Sequence, residues 1–200
     1  MIMEEKWFGR IWTKEEETLI NLIEKNGELF EDMLFSKDTI SHTYIAVKSS
    51  YNNVDTWVDD EIAIPDQLAY FSYTFFDFHV QKIDDGSIGC FNMQEQSITI
   101  DPDYLHDEST ILHEMIHLHE YVLNELPLFY HDAYFYCLYK SLQSKIVDLD
   151  ERIEAHGHLL NEQQLYSRGG LHDILFLLKS FDLDLKMGYK LGSVMGYGYK

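Results

Sequence analysis

The segment after Asp101-Pro102 constrains this chain more than any other. In ESTILHEMIHLHEYVLNE, residues 108–125, Ile111, Leu112, Met115, Ile116 and Leu118 are apolar, while His113, Glu114 and His117 interrupt them. The spacing predicts a helix over about 108–126, with Asp107 as its N-cap and Glu108 near its positive end. Pro127 stops or kinks it, because proline lacks the backbone donor and crowds the preceding turn. A helix this apolar belongs inside the molecule. Burying its polar stripe costs about 1–3 kcal/mol for each unpaired group, so the stripe needs partners or work to do.

The remaining pattern predicts an α+β domain. Before this helix, FFDFHVQKI alternates Phe76, Phe78 and Val80 with Asp77, His79 and Gln81, Asp84-Asp85-Gly86 is a turn signal, and SIGCFNMQ and SITID follow. Three short antiparallel strands are predicted at roughly 75–83, 87–94 and 97–101. Earlier, Lys14 to Leu34 has helical spacing, with Thr13 as N-cap and an interruption near Asn26-Gly27. SHTYIAVK, 41–48, reads as a short strand, and 51–70 is poorly patterned. A second helix over about 128–145 follows Pro127, a polar stretch runs to Gly169-Gly170, LHDILFLLKSF reads as a last helix, and GYKLGSVMGYGYK as a loose tail. With no repeat, no linker and three prolines, the chain is expected to form one domain over 1–200, with a core at about 75–145, an N-terminal helical segment at 13–34 and a C-terminal helical extension at 146–200.

Charge excludes some functions. The formal net charge of −20, from 35 acidic and 15 basic residues, opposes a broad phosphate-binding surface and argues against direct nucleic-acid binding. Cys90 and Cys137 are too few for a disulfide framework or a four-cysteine zinc site, and are expected as small buried hydrophobes. No signal-peptide pattern and no long apolar run is visible, so a soluble, cytoplasmic protein is the expectation.

The polar stripe reads HExxH. On a helix, His113 and His117 stand one turn apart and face one side, as a tetrahedral zinc requires of two nitrogen ligands. Glu114 sits about 100° around, where it reaches a zinc-bound water without ligating the metal, and its expected role is general base. With 10 histidines in 200 residues, chance placement gives roughly 0.04 such patterns, so the motif is informative but needs context. A third ligand is not supplied by HExxHxxGxxH, since positions 120 and 123 are Glu120 and Leu123, and no Glu occurs between Leu126 and Asp150. His131, just past Pro127, is the leading candidate, with Asp132 its nearest rival and Glu154 behind it.

SITIDPDYLHDESTILHEMIH followed by HDAYF resembles the core of the SprT-like zinc metallopeptidases. Ile98 and Ile100 match that family's strand, Leu112-His113-Glu114 and His117 its helix, and His131 with Phe135 its downstream H-G-x-x-F/W motif. The resemblance covers about 75–145 and implies a zincin-like fold, zinc on His113, His117 and His131, and Glu114 as the base. Asp132 replaces the family's usual Gly, and its cysteine-rich zinc ribbon is absent. The expected activity is zinc-dependent hydrolysis of a protein or peptide substrate. The alternatives are an interaction module with a structural zinc, and a regulator that cleaves one dedicated partner.

Other polar residues are expected in plainer roles. His119, about 200° around from His117, is expected at the surface or behind the ligands, and Glu120 and Tyr121 as solvated or packed residues. His156 and His158 form only a weak second metal candidate. Of Tyr130, Tyr134, Tyr136 and Tyr139, one is a possible oxyanion donor and most are core or surface aromatics.

Overall fold

The computed structural model describes residues 11–31, 76–84, 86–124, 128–160 and 172–196. The expected strand at 41–48, the glycine break at 169–170 and the end of the tail lie outside them. The described residues form five α-helices and a three-stranded sheet. We number them α1 (Lys14–Glu31), β1 (Asp77–Val80), β2 (Gly89–Asn92), β3 (Ser97–Ile100), α2 (Glu108–Asn124), α3 (Leu128–Gln143), α4 (Leu149–His156) and α5 (Ile174–Met187). None of these helices is long and apolar enough to cross a membrane.

The sheet is mixed, not antiparallel. Its order is β1-β3-β2, with β3 parallel to β1 and antiparallel to β2. Asn92 Oδ1 accepts from the backbone N–H groups of Gln94 and Glu95, and Gln96 takes φ +50°, which reverses the chain tightly after β2. The 81–88 connection does not fold back as a hairpin. Gln81 N–H donates to Ile100 O and Asp101 N–H to Ile88 O, so the connection passes the end of β3. SITI, the most buried of the three strands, takes the centre where both edges are covered. Alternation told which residues face inward, but not which strand lies between the others.

Sheet and helices share one core. Phe78, Ile98 and Ile100 are buried, and Trp12 meets Phe78 edge-on at 6.3 Å. α2 packs on β2, α1, α3 and α5, and every residue from Ser109 to Glu120 is buried. α5 is equally enclosed from Leu175 to Asp184. Both helices are central rods, not amphipathic surface helices.

Local chemistry fixes the helix ends. Thr13 and Glu16 form a reciprocal capping box: Thr13 Oγ1 accepts from Glu16 N–H at 3.2 Å, and Glu16 Oε2 from Thr13 N–H at 2.8 Å. α1 runs unbroken through Asn26-Gly27, against the expected interruption, and Asn26 is buried within it. Asp107 holds the start of α2 by accepting from Ser109 Oγ and Thr110 Oγ1. Asp173 caps α5 by accepting from Phe176 N–H at 2.9 Å, and Gly188 ends it at φ +70°.

Two expectations about exposure fail. The described part of the tail, to residue 196, is not loose: Val194 and Met195 are buried in the core. Cys90 is exposed on edge strand β2 and Cys137 is only half-buried.

Candidate metal centre

Three histidines meet where α2 faces the start of α5. His113, His117 and His172 each offer a ring nitrogen, and these atoms lie within 4.8 Å of one another. His113 and His117 come from successive turns of α2, with ring centroids 5.0 Å apart. His172 immediately precedes the Asp173 cap, so the hydrogen bond that starts α5 also places this imidazole. Its Nε2 lies 2.9 Å from Nε2 of His113.

The tautomers follow from the hydrogen bonds. His113 Nδ1 lies 2.9 Å from Val194 O, a pure acceptor, so Nδ1 donates and Nε2 carries the lone pair. His172 Nε2–H therefore donates to His113 Nε2. Two nitrogens bound to one tetrahedral zinc at ~2.0–2.1 Å lie about 3.3 Å apart, so an ion in place of that proton needs only a small opening of the pair.

Burial keeps the imidazoles neutral, the form that binds metal. It pushes His113 down to about 3, helped by neighbouring His172, while the Val194 carbonyl pulls the other way. It pushes His117 down to about 2, with His113 and His172 adding to the effect. Burial lowers His172 as well. Phe176, one turn into α5, lies against all three rings at 4.7, 4.5 and 4.9 Å from His113, His117 and His172. It supplies much of the apolar wall that desolvates them.

Two buried carboxyl groups of α2 have different settings. His117 Nδ1 faces Glu120 Oε2 at 3.9 Å, which leaves Nε2 for the metal side. Glu120 is buried and held well above the usual carboxylate range, first by burial and then by the neighbouring Asp173. It thus stands between a ligand on α2 and the cap of α5. Glu114 is buried on the sheet side of α2. A Cβ added to Gly89 would meet Glu114 Oε1 at 2.5 Å and its Cγ at 2.9 Å. Gly89 pairs with Ile100 at the start of β2, and a Cβ there would point off the sheet, so the carboxylate lies on the face of the sheet over this strand, which is an outer strand among the described residues.

The expected third ligand, His131, is not in this cluster. It lies half-buried on α3, close enough to His119 to help lower that ring's pKa. His119 points away from His117 around α2, and α3 packs on that other side. His119 is a core residue, not a surface one, packed between Phe30 at 6.2 Å and Tyr134 at 5.7 Å. The side chain of Asp132 lies outside the described ones, and Glu154 is exposed on α4.

The remaining candidates have structural settings. His156 faces the carbonyls of Arg152 and Leu191, and His158 faces that of Ala155. Tyr134 is core, Tyr136 is exposed, and Tyr139 donates to Asp150. Sequence reasoning missed His172. The available signal was its place: a histidine directly before an aspartate cap, at the mouth of a helix apolar on all sides.

No protein-family model, curated protein or solved structure matches this chain.

Proposed function

We propose that this protein is a zinc-dependent metallopeptidase whose metal is held by His113, His117 and His172, with Glu114 as general base. One observation carries the reading: the HExxH pair is joined by a third imidazole, half-buried at the start of α5, so that three ring nitrogens lie within 4.8 Å of one another. Three histidines suit a catalytic zinc, which keeps its fourth position for water or substrate. Zinc held this way supplies a bound water with a pKa near 7 and polarises a carbonyl.

The chain's own groups perform the rest. Glu114 accepts the proton released by the attacking water and returns it to the leaving amine. An extended peptide pairing along β2 would bring its backbone past Gly89 and Glu114, with main-chain bonds giving affinity and little side-chain selectivity. The HExxH part of the SprT-like resemblance supports this reading. Its downstream histidine motif does not, since His131 stands apart from the triad.

A structural zinc is the second reading, favoured by Phe176 lying across all three imidazoles. Glu114→Gln separates the two. Elemental mass spectrometry should find about one zinc in both wild type and variant, and a peptidase screen should show turnover lowered by about 10²–10⁴-fold in the variant. Zinc without any Glu114-dependent hydrolysis would favour the structural role.

A further inference from the structure

Asp184 is completely buried near the end of α5, away from the triad. Its two carboxylate oxygens are both used. Oδ2 accepts from Gly192 N–H at 2.7 Å and Oδ1 from Val194 N–H at 3.0 Å. The residue whose N–H it fixes is the same one whose carbonyl accepts from His113 Nδ1 at 2.9 Å. One carboxylate, the backbone of one residue and one ligand imidazole therefore form a connected chain, Val194 linking the two bonds through its N–H and its carbonyl.

We propose that Asp184 is a positioning residue for the metal centre, acting through Val194 to fix the tautomer and direction of His113. Apolar burial of Val194 and Met195 would suffice to hold the segment down. It would not fix the direction of the backbone at Val194, which the bonds to Gly192 N–H and Val194 N–H do from the turn before the carbonyl. Burying a carboxylate is costly unless its hydrogen bonds repay desolvation, and here both bonds are spent on the turn that carries the Val194 carbonyl. Gly188 at φ +70° and Gly192 at φ +89° give the backbone the bends this arrangement needs. At Gly192 a Cβ would also strike His156 Nε2 at 2.5 Å, so the turn is fitted closely from the opposite side. With Nδ1–H committed to Val194, the Nε2 lone pair of His113 faces the ion. The other tautomer would put a proton there.

The inference rests on the metal site of the proposed function but not on peptidase activity, and its test reads metal binding. In Asp184→Asn the new amide NH₂ confronts a backbone N–H and releases the turn. Zinc affinity, measured by chelator competition on the full chain, should weaken by about 10–100-fold, with an altered visible spectrum when Co²⁺ is the probe. A Kd within about twofold of wild type and an unchanged Co²⁺ spectrum would overturn the proposal, whatever happens to thermal stability. Should the variant fail to fold, nitrogen-15 spectra of the wild-type rings decide: His113 protonated at Nδ1 supports the proposal, and protonation at Nε2 overturns it. Wild type that binds no zinc overturns both the metal site and this role. Zinc bound normally with no peptide hydrolysis leaves Asp184 in place and removes only the peptidase.

Discussion

α2 and α5 are buried alike, yet they use their polar residues in opposite ways. On α5 the buried charges are matched by neighbours. Lys179 Nζ donates to Asp182 Oδ2 at 2.6 Å and lies over the Phe30 ring at 4.9 Å, and Lys186 adds bonds to Asp182 and to the Leu29 carbonyl at the end of α1. That group cements α5 to the last turn of α1, where cations also suit the helix dipole. On α2, His113 and His117 instead converge with His172, and burial first, with the neighbouring imidazoles second, keeps the two α2 rings neutral. Paired burial builds a joint, and convergent burial of neutral ligands builds a site.

The contrast is sharpest at the ligands. His172→Ala should lower zinc affinity by more than the 10–100-fold typical of an outer partner, while His131→Ala should leave it near wild type. Chelator competition on both variants checks this. The reverse pattern would return the third ligand to α3.

Next in size is the joint on α5. Asp182→Ala leaves Lys179 buried without its carboxylate and should cost about 3–5 kcal/mol in denaturant unfolding. Zinc stoichiometry of the folded fraction should stay unchanged. Loss of zinc in step with stability would mean the two helices do not divide their work as described.

The pH dependence of binding follows from the neutral rings. Protons compete with metal only below a ring's pKa, ordinarily 6.5. An exposed ligand set therefore loses about tenfold per ring for each pH unit below that value. Here His113 is pushed down to about 3 and His117 to about 2, so these two rings should add nothing to a fall in zinc affinity from pH 7 to about pH 5.5, and any fall there should be that of His172 alone, at most about tenfold per unit. A steep fall over that interval would mean the triad is open to water.

The smallest expected effect is at Gly89. Gly89→Ala must displace Glu114, so turnover should fall while zinc content holds. Parallel kinetics and metal analysis would show it, and unchanged turnover would detach Glu114 from the chemistry.

The legible parts of this molecule were those written locally. HEMIH, the Thr13 cap and the helix after His172 all follow from neighbours within a turn or two, and the described residues bear out the helices. The parallel pairing of β1 with β3 was not legible, because strand alternation is silent on partners. Nor was His172, which reaches His113 only because α5 packs on α2. His131 looked nearer along the chain, but α3 covers the face of α2 that carries His119.

The site's parts are also spread in time. A ribosome makes Gly89 and Glu114 early, His172 well after them, and Val194 later still. The nascent chain therefore carries His113 and His117 before it has His172 to complete the triad or the Val194 carbonyl behind His113. A site assembled in this order is incomplete until the last of its supports has been synthesised and folded into place.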